Sequence, residues 1–316
     1  RSWPRFAVTL SEDVGTHNSR RLATDGCRDG TGALSRPRDD GSHAGAEGFC
    51  PRPARVRVMS EDLREGPVTV VGDDVGVVVE LVRSVGVQVV PGSPSEIDER
   101  VTAVIAVGER AVLDLVRNGC ERPVLPVAVD GGLGGVPADA LQSAVEGVRD
   151  GDYAVRETPT LDVHVDGEHV GTALADVMLV TSEPAHISEY TLSTPQGPLA
   201  TFRADGVVVA TPAGSRGYAR RVGGAVLDPL ADALSVVPVG MFSTTKGHWT
   251  LSLPDAGPAI TASINREEAP VSLLIDDRTC GRLDPADRLS LVRGDPLSVV
   301  GRSGTDSGRD TVSDSG

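Results

Sequence analysis

The stretch "DGVVVATPAGSRGYARRVGGAVLDP", residues 205–229, is the most heavily specified part of the sequence. Val207-Val208-Val209 runs into Thr211-Pro212-Ala213-Gly214-Ser215, followed by Tyr218, Arg220, Arg221 and the pair Gly223-Gly224. A short apolar run bounded by turn residues reads as a buried strand. The residues after it read as a turn leading into a short helix over 218–222. Hydroxyls at Thr211 and Ser215, beside backbone N–H groups left open at a helix start, suit a polar ligand. A plain strand-to-helix connection uses the same residue types, so spacing alone leaves both readings open.

The surroundings of this stretch are β-rich. Residues 161–170, "LDVHVDGEHV", alternate about Asp166-Gly167, a two-residue hairpin turn of the primed type. Further strands are expected at 176–181, 199–203, 206–210, 235–238, 249–253, 259–264, 271–275 and 289–291, with almost no helical pattern between them. Before residue 151 the rhythm differs. Apolar strands at 68–71, 87–90, 101–107 and 124–129 alternate with helices at 75–84, 109–117 and 137–148, which predicts a parallel sheet covered on both faces. The expected organisation is therefore an N-terminal α/β domain of nucleotide-binding type over 59–150 and an all-β domain over 151–300. Residues 1–58 lack apolar periodicity and read as a disordered arm, or as sequence upstream of a true start at Met59; 301–316 read as a disordered tail.

The 316 residues suffice for two ordinary domains. A net charge of −15 argues against nucleic-acid binding through a broad basic face. Lys246 is the sole lysine; acidic excess with arginine as the cation suits a halophilic source, although a GC-rich genome also favours arginine. Cys27, Cys50, Cys120 and Cys280 show no C-x-x-C spacing, which fits a reducing cytosol. No apolar run approaches the ~18 residues of a membrane span, and a cytoplasmic protein is expected.

The opening stretch resembles the NAD kinase signature, in which D-G and an apolar strand lead to T-P-T-G-S-T-A-Y and then G-G. Asp205, Gly206, Thr211, Pro212, Gly214, Ser215, Tyr218, Gly223 and Gly224 match in register. Upstream, "GTALADVMLV" sits where that family has A-L-N-E-V; downstream, "LLIDDRTCGRLDPADRLSLVRG" resembles its D-G-Q hairpin. The likeness runs from about residue 68 to 300. It implies an α/β domain followed by a β-sandwich-like domain, with NAD bound between them and often across a homo-oligomer contact. The implied reaction moves the γ-phosphoryl of ATP, or a phosphoryl of polyphosphate, with Mg²⁺, to the 2′-hydroxyl of the adenosine ribose of NAD. By the same carry-over Glu109 is the catalytic base. Gly108, Asp176, Arg203, Asp205, Thr211 and Tyr218 form the NAD site.

Several positions depart from the family pattern. Val107-Gly108-Glu109-Arg110-Ala111 stands where the family reads G-G-D-G-T, so the carboxylate is kept on a longer stem and Arg110 replaces a glycine. Ala175 and Asp176 replace the asparagine and glutamate of N-E. Val129 and Gly135 replace an asparagine and an aromatic residue within "VAVDGGLGGVP" (127–137). Arg110, Arg216 and Arg221 are additional cations and candidate phosphate ligands. The enzyme reading therefore stands beside two others: a degenerate paralogue that senses a dinucleotide, and a kinase acting on another hydroxyl. No metal site is expected; His164 and His169 flank one hairpin without a third ligand, and Asp276-Asp277 reads as a turn acid pair.

Overall fold

The valine-rich segments at 68–72, 103–107 and 124–127 form one half of a six-stranded sheet. The structure, a computed structural model, describes residues 56–58, 66–129, 132–150, 152–183, 186–242, 247–266 and 270–302. The expected arm before 56, Met59, Gly131, Lys246 and the tail from 303 lie outside the described residues. The first sheet runs in the order β1 (Val56–Val58), β5 (Tyr153–Thr158), β18 (Leu297–Arg302), β4 (Val124–Val127), β3 (Ala103–Val107), β2 (Val68–Gly72). β2, β3, β4 and β18 run parallel, and β5 pairs antiparallel with β18 and β1. Val70, Ile105 and Val127 pack on one face with α1 (Gly76–Ser84) and α3 (Leu141–Asp150). Val71, Val104 and Val124 face α2 (Glu109–Arg117) on the other. This two-sided burial explains why the strands read as continuous apolar runs.

The remaining strands form two antiparallel six-stranded sheets stacked as a sandwich. One runs β10 (Gly197–Ala204), β9 (Ser188–Thr194), β14 (Pro258–Arg266), β17 (Arg288–Arg293), β6 (Leu161–Val165), β7 (Glu168–Ala173). The other runs β13 (Trp249–Ser252), β12 (Ala233–Val239), β11 (Gly206–Ala210), β8 (Asp176–Thr181), β15 (Val271–Ile275), β16 (Arg278–Leu283). Their shared core includes Leu179, Tyr190, Leu192, Val207, Val209, Ile260 and Leu291. β11 is buried along its whole length: Val207 and Val209 enter the sandwich core, while Val208 and Ala210 pack with Ala219 and Val237 on the outer side.

The α/β plus β-sandwich plan matches the expectation, but the boundaries differ. β5 and β18, expected in the all-β domain, complete the first sheet. β18 extends through Gly301 and Arg302, opposite Ala154 and Tyr153, where a tail was expected. Val56–Val58, inside the expected arm, pairs with Ala154–Arg156 of β5. Three alternating residues are too few to read as a strand, and Arg156 and Glu157 mask the period of β5. The expected strand at 87–90 makes only a bridge, Val89 beside Val68.

Leu297, Val299 and Val300 of β18 are at most 3% exposed. Each buried side chain of this size contributes about 1.5–3 kcal/mol, so a chain ended at Pro296 should lose its cooperative thermal transition, followed by circular dichroism. A chain ended at Arg302 should keep it.

Candidate functional site

Two loops meet where the sandwich joins the first sheet. β11 ends at Thr211, whose side chain is fully buried. Its hydroxyl donates to the Leu174 carbonyl at 2.5 Å, and its N–H donates to the Ala175 carbonyl at 2.9 Å. Ser215 is equally buried; Oγ donates to the Pro212 carbonyl at 2.8 Å and accepts the Leu227 N–H at 3.0 Å. Gly214 lies so close to the 174–176 loop that a Cβ there would stand 2.1 Å from the Ala175 oxygen. After the 3₁₀ turn Gly214–Arg216 comes α4 (Tyr218–Arg221), closed by N–H bonds from Gly223 to Arg220 and from Gly224 to Ala219. Most of the dense specification in 205–229 thus builds a joint. The two hydroxyls expected to face a ligand are spent on backbone, and Thr211 shapes the site without presenting a contact group to it.

The facing wall is the start of α2. Gly108 caps the helix with φ 85°, a left-handed value that favours glycine, and its N–H donates to Val127 O at 2.9 Å. Glu109 is then the first helical residue and is exposed, beside first-turn N–H groups that have no partner within the helix. Arg110 does not adopt positive φ, so the replacement of glycine costs no left-handed backbone strain here. Leu174 and Ala213 from the two loops pack in one cluster with Ala111, Val112 and Leu115 of α2, which brings Glu109 beside the 174–176 loop.

Electrostatics define the centre of this cleft. Burial, aided by the charges of Asp276 and Glu109, pushes the Asp176 carboxyl from an ordinary 3.8 up to about 7. Burial and the charges of Asp205 and Asp176 raise the Tyr218 phenol, which remains 39% exposed. The Asp205 carboxylate rests against the Gly240 backbone, 2.1 Å from where a Cβ would stand. Asp276 sits in the β15–β16 turn and accepts the N–H groups of Leu174, Ala175 and Asp176 at 3.1, 2.8 and 3.1 Å. The site thus brings the Glu109 and Asp176 carboxylates together, with the partly exposed Tyr218 ring between the charges of Asp176 and Asp205.

Residues 174–256 match the ATP-NAD kinase C-terminal domain. Over 210 residues the chain is 31% identical to an NAD kinase of Methanosarcina mazei, covering 64% of this chain and 71% of that protein. An NAD kinase of Methanosarcina acetivorans is 32% identical over 210 residues, 64% of this chain and 74% of its own length. The chain belongs to the NAD kinase family. In fold it is similar to yeast NADH kinase complexed with NADH (TM-score 0.66, 17% identity, 81% of this chain and 91% of that one). It is likewise similar to an Archaeoglobus fulgidus NAD kinase in complex with ATP (TM-score 0.60, 19% identity, 76% and 94%).

The family residues fall into two groups. Gly108, Glu109, Asp176, Thr211 and Tyr218 gather at the joint, whereas Asp205 stands at the opposite end of β11 beside Val239 and Gly240, where its charge bears on Tyr218. The arginines spread outward: Arg110 reaches back along α2 to 3.9 Å from Asp114, and Arg221 is exposed in the last turn of α4. Arg216 closes the 3₁₀ turn, and Arg203 stands in β10 opposite Glu189. Val129, in the family's asparagine position, is 7% exposed and packs beside Leu133 as core. His164 and His169 meet edge to face at 5.4 Å; among the described residues no group of three His, Cys, Asp or Glu is arranged to hold a metal ion. Asp276 escaped a functional reading. Its only signal was an aspartate at a hairpin position suited to positive φ, here 52°.

Two outcomes are expected. Gly214→Ala drives a methyl into the Ala175 carbonyl and should cost about 2–3 kcal/mol by denaturant titration. Asp176→Asn should be more stable than the parent at neutral pH. The folded carboxyl ionises near 7 and the unfolded one near 3.8, so the contribution of this group to stability is full below about pH 4 and is lost as pH rises to 7. The gap should therefore open above pH 4 and level off above pH 7, at about 1–2 kcal/mol after allowance for water screening at this half-buried group.

Proposed function

We propose that the protein is an NAD kinase-like phosphotransferase, carrying the γ-phosphoryl of ATP, or a phosphoryl of polyphosphate, to the 2′-hydroxyl of the adenosine ribose of NAD. The observation that carries this reading is the convergence of Glu109, Asp176 and Tyr218 on one cleft between the two domains. Glu109 takes the hydroxyl proton as the 2′-oxygen bonds to the γ-phosphorus. The bond from that phosphorus to the β–γ bridging oxygen breaks, and ADP departs. Tyr218 packs against the dinucleotide, Asp176 and Asp205 accept hydrogen bonds from its hydroxyl groups, and Gly108 with the α2 N-terminus faces the donor phosphates. Arg110, Arg203, Arg216 and Arg221 supply the surrounding positive charge. Bound with the nucleotide, Mg²⁺ would neutralise phosphate charge, and the Glu109 and Asp176 oxygens are the ones that would hold it.

The exchange of side-chain lengths supports the same reading. Glu109 is one methylene longer than the family's aspartate, and Asp176 is one methylene shorter than the family's glutamate. The two lie close enough for the charge of one to shift the other, and the methylene gained at Glu109 offsets the one lost at Asp176. We further propose a cytoplasmic homo-oligomer of halophilic origin. The acidic, arginine-rich composition, the thiols Cys120 and Cys280, and exposed Val226 and Leu230 support it.

NADP formation from NAD, ATP and Mg²⁺ in molar KCl, read by a coupled dehydrogenase, is the test. The parent should turn over, and Glu109→Gln should lose about 100-fold or more in kcat. Glu109→Asp should be impaired, and Glu109→Asp with Asp176→Glu should recover most of the loss. Calorimetric binding of NAD without any turnover by the parent would refute the enzyme and mark a binding protein.

A further inference from the structure

The turn between β15 and β16 touches both walls of the cleft. Asp276 holds the 174–176 loop by the three N–H bonds given above, and its own N–H donates to the Asp176 carbonyl at 2.9 Å. That makes four hydrogen bonds between one turn residue and the loop carrying Asp176. The next two residues reach the other wall. Asp277 pairs with Arg117 of α2, and Arg278 Nη2 bonds Asp114 Oδ1 of the same helix at 2.7 Å. Arg117 Nη1 closes the network on Asp114 Oδ1 at 2.9 Å. Arg117 is only 14% exposed in its side chain; burial works against its charge, yet the bonds to Asp277 and Asp114 outweigh that and raise its pKa. Asp114 and Arg117 lie one and two turns along the helix that begins with Glu109.

We propose that this turn is a clamp that sets the position of Glu109 relative to Asp176: Asp276 fixes the loop, and Asp277 with Arg278 fixes the helix. The proposal rests on the phosphotransferase reading. Asp276, Asp277 and Arg278 are positioning residues, since they act through the two groups on the walls. The ion pairs with α2 come from Asp277 and Arg278, the two residues that follow Asp276 in the turn. A buried carboxylate that accepts three N–H bonds cannot be replaced by an amide without turning one donor against another. The two arms of the clamp should therefore fail differently.

Asp276→Asn releases the loop bearing Asp176. It should raise KM for NAD, lower kcat/KM by about 100-fold, as a misplacement near 1 Å does, and speed amide exchange at 174–176 at least tenfold while β14 and β17 keep their protection. Asp277→Ala with Arg278→Ala releases only α2, and should lower kcat several-fold with KM for NAD unchanged. Arg278→Lys in the parent should keep kcat. Unchanged kcat in the alanine pair, or parental exchange at 174–176 in a folded Asp276→Asn, overturns the clamp. Should Asp276→Asn not fold, the exposed alanine pair and its KM-against-kcat split decide. A parent that forms no NADP sinks the kinase reading instead, and exchange at 174–176 alone then judges the clamp.

Discussion

The site depends on the contact between the 174–176 and 211–214 loops. Thr211 binds the carbonyls of Leu174 and Ala175, and Gly214 makes room for the Ala175 oxygen. Leu174 and Ala213 then carry the joint into the core around α2. Because β11 is central in its sheet and buried on both faces, the turn that follows it inherits a fixed origin. Tyr218, three residues beyond Ser215, takes its place from that origin and needs no side-chain anchor of its own.

This joint gathers negative charge. Glu109, Asp176 and Asp276 come from three separate parts of the chain; burial raises the Asp176 and Asp276 carboxyls, and the charges of Asp276 and Glu109 add to the rise at Asp176. The two groups are relieved differently: burial raises Asp276 while three N–H groups and Arg117 oppose it, whereas Asp176 is relieved by holding a proton near neutral pH. Tyr218 contributes apolar surface at the same place without adding charge.

Where one residue type had one use, the sequence was legible. The valine runs gave the parallel strands because both faces are covered, and the spacing from Asp205 to Gly224 located the joint. Thr211 and Ser215 were harder: a hydroxyl beside a turn serves a ligand or a carbonyl equally well, and only the neighbouring loop, some 37 residues upstream, decides between them. β5 was hidden by Arg156 and Glu157, and β9 by the inward Ser188, which is buried against Thr181 rather than against an apolar neighbour. Asp276 was visible as a turn acid, but its partners lie about 100 residues away, a separation at which pattern carries no information.

The return of β18 to the first sheet has a consequence for synthesis on the ribosome. Every sandwich strand lies between Leu161 and Arg293, so that layer has all its pieces while the nascent chain is still being extended. The earlier α/β layer must wait, with β4 and β5 separated by a gap that only residues 297–302 fill. The usual vectorial order, in which the N-terminal part is finished first, gives way to closure of both layers at nearly the same point, with β17 ending at Arg293 and β18 beginning at Leu297. The half carrying Glu109 is the last to be sealed.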